Sequence, residues 1–210
     1  AAFAYLEHRS RHQLTAIDSR AERQGEGFVL NGSKSLVLNG MAADVILVTA
    51  WLEDALALFA VPADSAGLSR EAFQLMDGQA VANLRFDQLT LATDSLVCEP
   101  ADSLALIQRV IDEATIAVAA QGLGAMETLL KATVEYSNTR KQFGQPIGKF
   151  QALQHRMVDM YTATQQCRSL LVRALCSHSA GEPQAAMDIA ALKSMIGKLG
   201  RGVAEEAVQL

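Results

Sequence analysis

The hydrophobic pattern of this chain changes period once, after Pro100, and that change limits what it can fold into. Before it, apolar runs are short and Gly or Asn interrupts them every few residues. Residues 28–30 follow Gly25 and Gly27. Asn31-Gly32 is a hairpin signal, Leu36, Val37 and Leu38 come next, and Asn39-Gly40 is a second signal. Residues 45–49 and 56–61 read as buried strands separated by Glu53-Asp54, with Pro62 and Gly67 in the next turn. Residues 81–86 and a last short strand at Leu96-Val97 complete the set. This pattern predicts an antiparallel β-barrel or sandwich.

After Pro100 the period is 3.6. Leu104, Ile107, Val110, Ile111, Ala114 and Val118 fall on one face, continued by Met126, Leu129, Leu130 and Val134, which predicts a helix over 102–139. Gly122 and Gly124 lie inside it; each costs roughly 1 kcal/mol of helix propensity, so both read as close-packing positions. A second helix is predicted over 149–179, with Leu153, Met157, Met160, Cys167, Leu170, Leu171 and Leu175. Gly181, Glu182 and Pro183 separate it from a third carrying Ile189, Leu192, Met195, Ile196, Leu199 and Val203. The fold class is therefore α+β: a β-domain over 1–99, then part of an antiparallel helical bundle over 100–210.

Between the first two helices, Gly144, Pro146 and Gly148 break the chain within five residues, and Phe150 restarts an apolar period. The break carries Arg140, Lys141, Gln142, Phe143 and Gln145. Arg140 can fork onto a phosphate or carboxylate, the amides can donate and accept, and Phe143 offers an aromatic edge. The same residues also fit a polar loop whose arginine satisfies helix carbonyls.

The run R-K-Q-F-G-x-P-I-x-x-F-Q-x-x-Q, from Arg140 to Gln154, closely resembles the acyl-CoA dehydrogenase family at the start of its C-terminal helical domain. The β half is similar too, in Gly27-Phe28-Val29-Leu30-Asn31-Gly32-x-Lys34, in Asn39-Gly40 and in Ala43-Asp44-x-x-Leu47-Val48. The third helix resembles the segment leading to the family's Q-x-x-G-G loop, with Gln209 at its glutamine. The resemblance implies FAD-dependent α,β-dehydrogenation of an acyl-CoA thioester, as in fatty-acid β-oxidation, with electrons passed on to electron-transfer flavoprotein or a similar acceptor. It implies that Arg140, Gln142, Phe143 and Gln151 contact the ADP half of an FAD bound mainly by a neighbouring subunit. Glu7, Leu38 and Gln209 complete the cofactor positions, and Asp112 stands at a substrate position.

Three positions depart from the commoner family pattern. Leu6, in the run from Ala4 to His8, replaces a threonine whose hydroxyl would face the flavin ring. Leu36, Val37 and Leu38 replace a W-I-T/S strand, losing an indole and a hydroxyl, and Thr115 replaces an arginine after Asp112. Glu7, Arg9 and Arg11 around Ser10 resemble the small subunits of pimeloyl-CoA-type dehydrogenases, which leaves a hetero-oligomer with a larger subunit open beside a homo-oligomer. A non-catalytic partner subunit, a flavin monooxygenase or nitroalkane-type oxidase, and a scaffold that only oligomerises are the competing readings.

The family's base is a glutamate in a part this chain lacks; the chain reads as a piece of a longer polypeptide. Glu7, Glu127, Glu135, Glu205 and Glu206 read as solvated charges, and no catalytic residue is assigned. Lys34 reads as a solvated lysine after a turn. His8 is a candidate for touching the flavin, His12 has no assigned role, and His155 is expected to pair with Asp159 one helical turn on. Net charge is −5 with no basic block, which argues against nucleic-acid binding. Cys98, Cys167 and Cys176 stand without metal spacing, which fits reduced thiols, no bound metal and a cytoplasmic setting. No apolar run is long enough to span a membrane, and the N-terminus lacks a basic-then-apolar signal pattern.

Overall fold

In the computed structural model, which describes residues 1–10 and 13–210, the short apolar runs become seven strands of one curled sheet. They are β1 Ala2–Ala4, β2 Arg20–Gln24, β3 Gly27–Leu38, β4 Val45–Leu52, β5 Ala55–Pro62, β6 Leu68–Gln74 and β7 Ala80–Ala92. The order is β1-β4-β2-β3-β7-β6, with β5 also paired to β4. Arg11 and His12, both named above, lie outside the described residues.

The sheet is mixed, not purely antiparallel. β1 and β2 both run parallel to β4. A parallel pair needs a long connection, and the β2–β3 hairpin between β1 and β4 supplies it. That pairing leaves no turn signal in the sequence. Phe28, Leu30, Ile46, Val48, Phe59, Leu84 and Leu89 form the buried core, with the Phe28 and Phe59 rings edge to face at 5.2 Å.

Asn31-Gly32 is not a turn; β3 runs through it, and the β2–β3 turn falls at Gly25-Glu26. The pair instead accommodates two close approaches. Asn31 Oδ1 accepts from Gln88 N at 2.8 Å and Gln88 Nε2 at 3.1 Å, filling a bulge in β7. Gly32, at φ 145°, faces Ser19 so closely that a Cβ would lie 2.4 Å from Ser19 Oγ. Asn39-Gly40 is a turn, with Asn39 at φ 56°, but it closes no hairpin, because β3 and β4 on either side of it do not pair. Leu96-Val97 is not a strand; Leu96 forms one isolated bridge to Phe59.

The helices are α1 Pro100–Thr139, α2 Gln151–Ser179 and α3 Ala185–Gln209. The chain divides into two compact units, residues 1–108 and 109–210, so α1 begins in the first. In the second unit, Ile116, Ala119, Leu123 and Met126 of α1 are buried with Met160, Cys167 and Ala174 of α2 and Ile189, Leu192 and Val203 of α3. The face expected to be buried on α1 is buried only in part: Ile107 and Met126 are buried and Leu129 and Leu130 pack on the core, while Leu104, Val110, Val118 and Val134 are exposed. The helix is apolar on two sides, and the narrower stripe with small Ala119 is the one that packs. Gly122 does sit against Ile196, where a Cβ would lie 3.3 Å away, but Gly124 faces open space. His155 and Asp159 are exposed and form no ion pair with each other.

Candidate functional site

In the first unit the site begins where β1 runs out. Residues 7–10 form a turn in which the buried Ser10 hydroxyl accepts from Glu7 N and donates to Glu7 O, both at 3.0 Å. The turn aims the Glu7 carboxylate inward. Its Oε1 accepts from Lys34 Nζ at 2.7 Å, Ser19 Oγ at 2.6 Å and Ser19 N at 3.1 Å; its Oε2 accepts from Asp18 N at 2.6 Å. Lys34 Nζ also donates to the buried Thr49 hydroxyl at 3.1 Å. The side chains are 0% (Lys34) and 7% (Glu7) exposed, so neither is the solvated charge the sequence predicts.

The physical reason is mutual: each buried charge is tolerable because the other, with these donors and acceptors, replaces its water. Burial alone would raise the Glu7 pKa, but the bonds from Lys34, Ser19 and Asp18 N outweigh it and hold the carboxyl below its usual range. Burial lowers the Lys34 pKa below the usual lysine value, with Glu7 opposing the shift.

Directly after Lys34, β3 bulges. Lys34 pairs with Leu84 and Val37 with Ala82, so Ser35 and Leu36 together face Asn83, and Leu36 is at φ 55°. Ser35 N donates to Leu6 O at 2.9 Å, tying the bulge to the chain after β1. Leu6, Leu36 and Phe73, with Ser35, Asn83, Glu7, His8 and Ser10, line a cleft of about 380 Å³. An adjoining cleft of about 450 Å³ shares His8, Ser35 and Asn83 and continues past Ser33, Arg85 and Ser69. His8 is thus brought to both clefts. Leu38 is exposed two residues beyond the bulge and lines neither.

In the second unit, α1 stops where Arg140 N donates to Tyr136 O at 2.8 Å. The expected loop is a small hairpin: β8 Lys141–Gln142 pairs with β9 Gln145–Pro146. Phe143 and Gly144 between them have φ 53° and 80°, the sign pattern of a type I′ turn. Ile147 N donates to Arg140 O at 2.9 Å and closes the hairpin's base. Gly148 lies under the end of α1, where a Cβ would approach Ser137 O to 3.0 Å. A phenylalanine at positive φ is strained. Phe143 is 91% exposed there, its ring edge to face with Phe150 at 6.1 Å.

Arg140, Gln142, Phe143 and Gln151 are all exposed. Among the described residues no carboxylate pairs with Arg140. The hairpin thereby presents a cation, an amide and an aromatic ring to whatever lies opposite. Gln209 lines a cleft of about 420 Å³ with Leu129, Thr133, Tyr136 and Val208. Asp112 is half-buried on α1, one turn before Ile116. Glu127, Glu205 and Glu206 carry surface ion pairs to Arg168, Arg201 and Arg156, and Glu135 is exposed, so these four are the surface charges expected. Among the described residues no cluster of three His, Cys, Asp or Glu could hold a metal ion, and no helix is long and apolar enough to cross a membrane.

Reading the sequence misses Ser19, Thr49, Phe73 and Asn83, which come together from separate strands and their connections. Gly32 is the one local signal, since it clears the space that Ser19 fills.

Residues 2–89 match the acyl-CoA dehydrogenase middle domain and residues 104–210 the acyl-CoA dehydrogenase C-terminal domain. The chain is 31% identical over 180 residues to the human mitochondrial short-chain specific acyl-CoA dehydrogenase, covering 82% of this chain and 44% of that one. It is 28% identical over 219 residues to the short-chain specific acyl-CoA dehydrogenase of Megasphaera elsdenii, covering 100% and 57%. The chain spans about half the length of the curated relatives it matches. Among solved structures, butyryl-CoA dehydrogenase from Megasphaera elsdenii superimposes with a TM-score of 0.91 at 28% identity, over 99% of this chain and 56% of that one. PigA with FAD and proline superimposes with a TM-score of 0.93 at 25% identity, over 99% and 56%. Two matched domains that together account for nearly the whole chain place it in one family: this chain belongs to the acyl-CoA dehydrogenases.

Proposed function

We propose that this chain is part of an FAD-dependent acyl-CoA dehydrogenase that oxidises the α,β bond of an acyl-CoA thioester. The observation that carries this reading is the hairpin at 140–147, which holds Arg140, Gln142 and Phe143 exposed, with no carboxylate among the described residues competing for the arginine. The donor set fits the cofactor. Arg140 suits a phosphate, the Gln142 and Gln151 amides suit sugar and base polar atoms, and Phe143 suits an aromatic face. The cleft of Leu6, Leu36 and Phe73, with Ser35 and Asn83 at one edge, suits a planar ring that is apolar on its face and polar at its rim.

When bound, the flavin supplies the oxidising equivalent. The chain's own residues bind and orient it. Glu7 acts from below the cleft, because both of its carboxylate oxygens are taken by Lys34, Ser19 and Asp18 N. No carboxylate here is assigned as the base: Glu7, Glu127, Glu205 and Glu206 are each bound to a cation, and Glu135 is exposed on α1. Asp112 is proposed on the substrate side and Gln209 on the cofactor side. The partners proposed are an acyl-CoA, an electron-transfer flavoprotein or similar acceptor, and a second subunit that receives the hairpin. The open apolar face of α1 supports such an assembly. Free Cys98, Cys167 and Cys176 fit a reducing, cytoplasmic setting.

One observation favours a second reading. Leu6, Leu36 and Leu38 offer no side-chain hydrogen bond, so the chain could serve as a non-catalytic subunit lending its hairpin to a neighbour's FAD. A visible spectrum of the purified intact protein, followed by anaerobic addition of medium-chain acyl-CoA and pimeloyl-CoA, separates the two. A yellow protein that bleaches is expected from the first reading. A colourless protein that becomes active only when mixed with a homologous chain is expected from the second. A colourless protein that no homologous chain activates overturns both.

A further inference from the structure

The two walls of the apolar cleft belong to segments that are joined from behind. Leu6 immediately precedes Glu7, and the Ser35-Leu36 bulge immediately follows Lys34. The β1 ladder ends at Ala4, so residues 5–10 are not held by strand pairing. What fixes them is the bond from Ser35 N to Leu6 O and the four donors on the Glu7 carboxylate. Those donors come from two segments: Lys34 in β3, and Asp18 and Ser19 ahead of β2. Thr49 in β4 holds the far side of Lys34. Gly32 is shaped for the same end, since any Cβ there would displace Ser19 from the carboxylate.

The wall residues themselves cannot do this. Leu6 and Leu36 are aliphatic and make no directional side-chain contacts, and Leu36 sits at positive φ on a bulge. A bulge re-aims a side chain, but it needs surrounding structure to hold it.

We propose that Glu7 and Lys34 are positioning residues whose buried ion pair sets the separation of Leu6 and Leu36, and so the shape of the cleft that receives the flavin ring. The assignment of the ring to this cleft rests on the function proposed above; the clamp itself does not. A pair that served stability alone would be replaceable by uncharged groups of similar volume with no effect on the cleft. A clamp would not be, because its bond fixes a distance.

The test uses the intact protein and the double variant E7Q/K34M. The glutamine introduced by E7Q keeps one oxygen to accept from Ser19 and gives up the bond from the exposed Asp18 N, and the methionine introduced by K34M fills the lysine's volume, so no buried charge is left unpaired. The single variant E7Q leaves Lys34 buried without its carboxylate and is the more severe control. Hydrogen exchange reads the clamp directly. In E7Q/K34M the Ser35 amide is expected to exchange at least about tenfold faster, while the amides of β4 and β5 keep their protection. FAD titration reads the consequence: about tenfold or greater weakening, with the apo-protein's Tm close to the parent's. Unchanged Ser35 protection in the double variant overturns the clamp. Parental FAD affinity in a double variant whose Ser35 amide exchanges faster keeps the clamp and overturns its tie to the flavin ring. If E7Q/K34M does not fold, E7Q/K34L, which likewise leaves no buried charge, is measured in its place by the same criterion. If the parent binds no FAD, the flavin assignment falls, and the exchange measurement alone decides the clamp.

Discussion

The cleft and the hairpin solve opposite problems. The cleft is built from residues far apart in sequence, and its charges point inward and are consumed there: Glu7, Lys34, Ser19 and Thr49 bond to one another and leave an aliphatic surface. The hairpin is built from consecutive residues, and its arginine, amide and ring stand outward in solvent. One region places shape, the other places chemistry. The difference teaches that a charged residue's meaning depends on its partners: Lys34 and Arg140 are both cations in matched motifs, yet one is fully buried and the other is open to solvent.

That contrast can be broken most forcefully at Lys34. Lys34→Ala leaves the Glu7 carboxylate buried without its cation, and the expected loss is about 3–5 kcal/mol of stability, read by chemical denaturation. A loss close to zero would mean that water reaches Glu7. Next comes Gly32→Ala. The added Cβ overlaps Ser19, and φ 145° is a conformation that alanine avoids, so about 1–3 kcal/mol is expected to be lost on the same assay. A neutral result would show that Ser19 can move away from Glu7 without cost.

Acid sharpens the comparison further. The folded Glu7 carboxyl is held below its usual value of 4.5, so in the folded state it stays ionised to lower pH than in the unfolded chain. Its contribution is therefore complete above the unfolded value and is lost as pH falls below it and through the folded value. Stability measured from about pH 6 downward is expected to fall in that interval, and the fall is expected to be smaller in E7Q. Equal acid profiles for parent and E7Q would show that Glu7 does not carry the acid sensitivity. The smallest stability effect is expected at the hairpin. Arg140→Ala should change stability by no more than about 0.5 kcal/mol, because the exposed guanidinium has no carboxylate partner to lose.

The same contrast explains what can be read from sequence. The helices, their breaks at Gly181 and the hairpin region follow from local spacing, and a contiguous motif such as Arg140 to Gln154 is local by nature. Mixed strand pairing is not: nothing near Ala2 announces that β1 lies beside β4. Asn31-Gly32 has the composition of a turn, but a bulge opposite Gln88 and a close approach to Ser19 need the same two residue types, and tertiary packing decides between them. Glu7 and Lys34 lie twenty-seven residues apart, so their pairing has no periodic signature. On α1 the expected period holds and the expected face holds only in part, at Ile107 and at Met126, Leu129 and Leu130, because Leu104, Val110 and Val118 are as apolar as the stripe at Ile116, Ala119 and Leu123 that packs.

Whether the hairpin faces a flavin cofactor or merely ends a helix is tested most directly by the FAD affinity of Arg140→Ala against the parent, measured on the intact protein alongside Tm. A hairpin that meets the cofactor predicts affinity at least about tenfold weaker, or about 1.4 kcal/mol, with Tm unchanged. Parental affinity in the variant would contradict it and return Arg140 to the role of a solvated residue at the end of α1.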